Sequence, residues 1–182
     1  GFGSPLPTDP EKRRKRQNDI FNWRDRNKDG FWTKEEFTAD MRVGRGQPNL
    51  AAIRPGGSGD ITESHVRWNL RRGIPEIPSP VYHSGRLYLV RAGGILSCIR
   101  TDTGEVIYRE RLGASGQYSA SPVIANNHVY LFSDRGVVTV VKCGDEFKVT
   151  HQADFDVSIA ATPAMDQNSL YLRAEDALMA FR

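Results

Sequence analysis

The chain has 182 residues, 38% of them apolar, with 25 Lys/Arg against 22 Asp/Glu and a formal charge of +3. That length suits one domain, or a small domain joined to a second unit. No apolar stretch approaches the roughly 18–20 residues that span a bilayer, and no nucleic-acid-reading motif is present.

Residues 1–8 are rich in Gly and Pro and read as a loose N-terminus. Because the chain starts at Gly1, the lack of a leader segment says little about targeting. Thr8-Asp9-Pro10-Glu11 then marks a helix start, with a Thr or Asp cap and Pro in the first turn. The helix is predicted to run to about Trp23 and to bury Ile20 and Phe21. It carries the basic run Lys12-Arg13-Arg14-Lys15-Arg16. Such a run can touch nucleic acid or an anionic surface, but without an RNA-reading motif beside it the simpler reading is a solvated helix face.

After the helix, Asp25-Arg-Asn27-Lys-Asp29-Gly30-Phe31-Trp-Thr33-Lys-Glu-Glu36 fills every ligand position of an EF-hand calcium loop. Asp25, Asn27 and Asp29 offer side-chain oxygens at alternating places, and Gly30 permits the sharp turn. Phe31 offers its carbonyl, Thr33 binds directly or through water, and Glu36 closes the shell with both carboxylate oxygens. Phe21 and Phe37 sit where the flanking helices pack. Trp32 replaces the usual aliphatic residue that pairs with a second loop. The second helix is predicted from Thr33 to Met41. Residues 9–42 thus read as an EF-hand helix–loop–helix and 43–49 as a linker. One visible hand without a Met-rich groove points to a static calcium clamp rather than a sensor.

From Leu50 the pattern turns to strands. Arg54-Pro-Gly-Gly-Ser-Gly-Asp60 is a turn-dense loop and no P-loop, since no Gly-Lys-Ser/Thr follows. His65–Leu70 alternates as a strand. A Ser/Thr-Pro step then leads, eight residues later, into a Tyr strand three times: Ser79-Pro80 with Tyr88, Ser121-Pro122 with Tyr130, and Thr162-Pro163 with Tyr171. A period near 40–45 residues built only of short strands is the mark of propeller blades. Third strands are predicted at 94–99, 136–141 and 176–181, and fourth strands at 106–112 and 147–153. The repeat region therefore opens on a lone fourth strand, holds two whole blades and stops after a third strand. Three blades are fewer than the four that close a ring. The expectation is a C-terminal portion completed by upstream blades or by another chain. Cys98 and Cys143 fall at non-equivalent repeat positions, which argues against a disulfide; Cys98 reads as a small buried strand residue.

Residues 50–182 resemble the PQQ-like (quinoprotein-type) repeat propellers, particularly secreted bacterial ones that also carry an EF-hand. The features behind this are the 54–62 loop followed by His65-Val-Arg-Trp68, and Thr101-Asp102-Thr103-Gly104-Glu-Val-Ile-Tyr108, with Tyr in a usual Trp position. The resemblance implies that Trp68 and Tyr108 dock one blade on the next. It also implies a secreted, periplasmic or cell-surface location. Quinoprotein dehydrogenases of this superfamily bind PQQ over a calcium ion, with a ring-stacking Trp, a vicinal Cys pair and an acidic base. This sequence has no vicinal cysteines and its one clear calcium site is an EF-hand on helices, so PQQ is not expected in this segment.

His65, His83, His128 and His151 show no metal-ligand spacing. His83 and His128 read as solvated turn residues, and Asp134, Asp145, Asp154, Asp156 and Glu175 as solvated loop charges. Tyr88, Tyr130 and Tyr171 read as packing between blades. The reading is a mainly β chain: propeller blades behind a small helical calcium-binding unit, acting as a non-catalytic scaffold for a protein or polymer partner. The alternative is the C-terminal part of a PQQ-dependent oxidoreductase whose active-site blades lie upstream.

Overall fold

The computed structural model describes residues 8–36, 48–166 and 168–182. The chain divides into two compact units, Gly1–Gln47 and Pro48–Arg182.

In the first unit, helix α1 spans Pro10–Arg24. Asp9 is the cap: its backbone is extended and its carboxylate accepts the Lys12 N–H at 2.9 Å. Pro10 occupies the first turn, where the missing N–H costs no helical bond. The helix closes with the Asp25 N–H on the Phe21 carbonyl. Ile20 and Phe21 are 39% and 38% exposed, which corrects the expectation that the helix buries them. The reason is local. The helix is polar over most of its circumference and presents no continuous apolar stripe. The predicted exiting helix from Phe37 onward, and the linker up to residue 47, lie outside the described residues.

The second unit is built of four antiparallel sheets. The first pairs β1 (Leu50–Ile53) with β2 (Val66–Leu70). The second is β3 (Val81–His83), β4 (Arg86–Arg91), β5 (Ile95–Arg100) and β6 (Val106–Arg111). The third is β7 (Val123–Ala125), β8 (His128–Phe132), β9 (Val137–Lys142) and β10 (Val149–Asp154). The fourth holds β11 (Ala164–Met165), β12 (Leu170–Ala174) and β13 (Ala177–Phe181). Each is a sequential meander, joined by short connections except for the 54–65 loop between β1 and β2.

One correction concerns the strand expected to stand alone at 65–70. It pairs with β1, and the pairing shows what the sheet is. A register shift lies between Ala52 and Ile53 against β2, and the same shift recurs between Cys98 and Ile99 against β6. In the third sheet it falls between Val149 and His151 against β9. The β1–β2 pair is therefore the third and fourth strands of a blade. Trp68, Tyr108 and His151 occupy the equivalent place just beyond each bulge, opposite Ala52, Cys98 and Val140.

Alternating side chains give the third sheet two apolar faces. Tyr88, Val90, Leu96 and Cys98 of the second sheet meet Val129, Leu131 and Val141 of the third. The opposite face of the third sheet presents Phe132 and Val138, which meet Leu172 and Ala174 of the fourth. Burying a side chain of the Val or Leu class contributes ~1.5–3 kcal/mol. These two layers hold the sheets face to face, as blades stack around a propeller axis.

Candidate metal centre and the contacts between blades

The Asp25–Glu36 loop is folded around its own oxygens. Asp25, 6% exposed, accepts the Asp29 N–H on Oδ1 at 3.2 Å and the Gly30 N–H on Oδ2 at 3.0 Å. Asn27 Oδ1 accepts the Asp29 N–H at 3.1 Å, and Asp29 Oδ1 accepts the Phe31 N–H at 2.8 Å. Gly30 has φ +83°, which a side chain would strain. Glu36 reaches back across the loop to the N–H groups of Arg26 and Asn27, at 2.8 and 3.3 Å.

Glu36 also has a role that was not anticipated from the sequence. Its Oε2 accepts the Thr33 N–H at 3.0 Å, while Thr33 Oγ1 accepts the Glu36 N–H at 3.2 Å. This reciprocal pair is a capping box that starts the helical turn at 34–36. The Thr-x-x-Glu spacing was the available signal, overlooked because both residues were already assigned as ligands. The Thr33 N–H bond holds the Glu36 carboxyl below its ordinary pKa.

The donor set suits a hard cation: carboxylates, an amide oxygen, a hydroxyl and the Phe31 carbonyl, all oxygen, in one loop. Among the described residues no three His, Cys, Asp or Glu side chains gather as a metal cluster. In the Asp25–Glu36 loop, Asn27, Thr33 and the Phe31 carbonyl make up half of the candidate donors.

In the second unit several polar groups bond to neighbouring blades. The Ser79 N–H donates to Ser121 Oγ at 2.9 Å, and the Ser121 N–H donates to Thr162 Oγ1 at 2.9 Å. The hydroxyls of Ser121 and Thr162, ahead of Pro122 and Pro163, thus tie their blades to the one before. The sequence used these residues only as markers of the period, although the hydroxyl kept in all three copies was the clue.

Trp68 donates its indole N–H to the Thr101 carbonyl at 2.9 Å and lies against Gly104, where a Cβ would come within 2.7 Å of the ring. Gly104, at φ +77°, is therefore required twice, for its backbone and for the space. At the next interface Tyr108 packs edge-on against Phe147, centroids 5.7 Å apart. Its buried hydroxyl has no hydrogen-bond partner among the described residues. The docking roles implied for Trp68 and Tyr108 are what the geometry shows. At the third equivalent place, His151 is exposed.

Tyr88 is fully buried, and its hydroxyl oxygen accepts the Gly144 N–H of the next blade at 2.9 Å. Cys98 Sγ lies 3.8 Å from the Gly144 carbonyl. Both cysteines are free and buried, and burial pushes the Cys98 thiol up to about 11. Burial raises the Tyr88 and Tyr108 hydroxyls as well. Tyr130 packs between the third and fourth sheets, while Tyr171 is partly buried and donates to Asp166 at 3.2 Å.

Several residues expected to be only solvated have structural partners. His83 Nε2 meets Asn127 Oδ1 across the interface at 2.8 Å, and His128 Nδ1 meets the Asn126 carbonyl at 2.7 Å. Asp145 pairs with Arg86 of the preceding blade at 2.7 Å, and that contact lowers its pKa. Asp134 accepts the Gln117 N–H at 2.8 Å, and Asp154 accepts the Asp156 N–H at 2.9 Å. A surface groove of about 580 Å³ is lined by Asp166, Asn168, Ser169, Tyr171 and Arg182. Asp166 is occupied there by the N–H groups of Asn168 and Ser169.

Sheets that meander outward, stack face to face and repeat one docking contact define a sector of a PQQ-type β-propeller. The chain belongs to the family described as outer membrane protein assembly factor BamB, whose model matches residues 50–146. BamB from Moraxella catarrhalis is similar in structure, with TM-score 0.57 and 13% identity over 74% of this chain and 40% of that one. A europium-containing methanol dehydrogenase matches with TM-score 0.43 and 11% identity, over 58% of this chain and 21% of that one. The quinohemoprotein alcohol dehydrogenase from Comamonas testosteroni matches with TM-score 0.45 and 16% identity, over 57% and 17%. The chain thus spans less than half the length of each of these proteins. No curated protein matches it.

Proposed function

We propose that this chain is a non-catalytic binding segment, a propeller sector that works as a scaffold within a protein assembly. One observation carries the reading: the side chains of Ser121, Thr162, Trp68, Tyr88 and Asp145 are each engaged by a neighbouring blade. Groups so engaged position structure and are not poised over a substrate. The family description supports partner proteins in an assembly, with a periplasmic or outer-membrane-associated placement. The first unit is read as a calcium clamp. Asp25, Asn27, Asp29, Phe31, Thr33 and Glu36 would hold the ion, which neutralises the clustered carboxylates and stiffens the loop.

The test is to add PQQ and calcium to the intact protein and follow absorbance and dye reduction with alcohol substrates. The scaffold reading expects neither a bound chromophore nor turnover. Stoichiometric PQQ with dye reduction overturns it in favour of the quinoprotein oxidoreductase.

A further inference from the structure

The basic run of α1 lies, in sequence, outside both the repeats and the Asp25–Glu36 loop. Residues 1–47 hold 11 Lys/Arg against 8 Asp/Glu, whereas residues 48–182 hold 14 of each. All of the net positive charge therefore lies in the first unit. Lys12, Arg13, Arg14 and Lys15 are exposed and Arg16 is half-buried. Five successive residues at 3.6 per turn encircle the helix, so the run is a collar and not a packing stripe. Its position also works against the helix, because cations near the positive end of the macrodipole are disfavoured. A local penalty of this kind marks a feature kept for something outside the helix.

The same unit exposes two large aromatic rings, Trp23 at 73% and Phe31 at 74%. They lie beyond the collar, toward the C-terminal end of α1 and in the loop. The five-residue run itself holds no aromatic residue, while Arg26, Lys28 and Lys34 lie beside the two rings in sequence. Stacking platforms set among the cations of the run would suit a strand of nucleic acid; a lipid interface takes cations at the headgroups and Trp or Phe at the boundary layer.

We propose that the first unit docks on an anionic lipid surface, with Lys12–Arg16 against the headgroups and Trp23 and Phe31 in the interfacial layer. Polybasic attraction of this kind is sequence-local and falls off within a Debye length.

The experiment is cosedimentation of the full chain with vesicles of mixed phosphatidylcholine and phosphatidylglycerol, against vesicles of phosphatidylcholine alone. Binding is expected to the mixed vesicles, to weaken with salt, and to shift tryptophan emission to the blue. Replacing all five cations by Gln, a good helix former that should leave the circular dichroism unchanged, should weaken binding by at least about tenfold. W23A should remove most of the emission shift. Equal binding to both vesicle types, no binding, or undiminished binding by the five-Gln chain would overturn the proposal. So would displacement from the vesicles by a DNA oligomer that is bound more tightly, which would assign the collar to a polymer.

Discussion

Ser79 and Ser121 stand 42 residues apart and are joined by one hydrogen bond, the amide of the first on the hydroxyl of the second. Ser121 in turn donates its amide to Thr162, 41 residues further on. Ser121 is therefore the end of one link, through its hydroxyl, and the start of the next, through its backbone amide. S121A should lower stability by ~0.5–1.5 kcal/mol, the usual net worth of such a bond. S121T, which keeps the hydroxyl, should cost less. Urea unfolding checks this, with the midpoint moving and the slope unchanged.

Trp68 offers a way to separate packing from hydrogen bonding. W68F keeps a ring over Gly104 but leaves the Thr101 carbonyl without its donor, for an expected loss of about 1 kcal/mol. W68A empties the contact and should lose roughly 2–3 kcal/mol, less than for a fully buried Trp because this one is half-buried. Equal losses for the two variants would show that the indole N–H, not the ring, holds the blades.

The next interface has exchanged sizes, Tyr108 against Phe147 where the first has Trp68 against Gly104. Y108W alone should overpack and destabilise by ~1–3 kcal/mol. In the Y108W/F147G double variant the new indole has room, so the two changes should be coupled by about 1 kcal/mol or more. Additive effects in a double-mutant cycle would mean that the pair does not meet as described.

Y88F should cost about 1–2 kcal/mol, because it leaves the Gly144 N–H without its acceptor in a half-buried site. The same hydroxyl makes a pH-dependent contribution. Burial raises its folded pKa above the unfolded value of about 10. Stability is therefore full below that pH and falls as pH rises above it, since only the unfolded chain then readily loses the proton. Y88F should make the alkaline decline shallower, though not abolish it, because Tyr108 and Tyr118 are raised in the same way.

Glu36 holds two roles that substitution can divide. Gln can still cap Thr33 but brings no second charge to a cation, so E36Q should weaken calcium binding by roughly tenfold or more with little change in helix content. E36A should lose both. Trp32 fluorescence during a calcium titration is the readout, and a wild-type chain silent up to millimolar calcium would end the clamp reading. Without calcium, the capping contribution is present above the ordinary glutamate pKa of 4.5. It is lost as pH falls through the depressed folded value.

Much of the propeller could be read from the order of residues, because blade geometry is local. Short alternating strands, two-residue turns and a hydroxyl-Pro step recur at a fixed interval, and each sheet pairs only with its sequence neighbours. The strand at 66–70 was misjudged as solitary because β1 is only four residues long and is separated from it by the 54–65 loop. A run that short carries no period, so only pairing reveals it. The oxygen donors of the Asp25–Glu36 loop were legible as residue types, since all of them lie within twelve residues. The capping box within it was hidden by the same two letters.

By itself, then, the sequence determined the architecture and the donor chemistry, both set by contacts between residues close along the chain. What the repeats' polar side chains do was decided only by tertiary structure. Ser121 and Thr162 were markers of a period until the blades stacked, and His83 and Asp145 were surface groups until Asn127 and Arg86 came to face them. Those partners lie some 40–60 residues away, where no local pattern reaches and only the packing of one sheet on the next brings donor to acceptor.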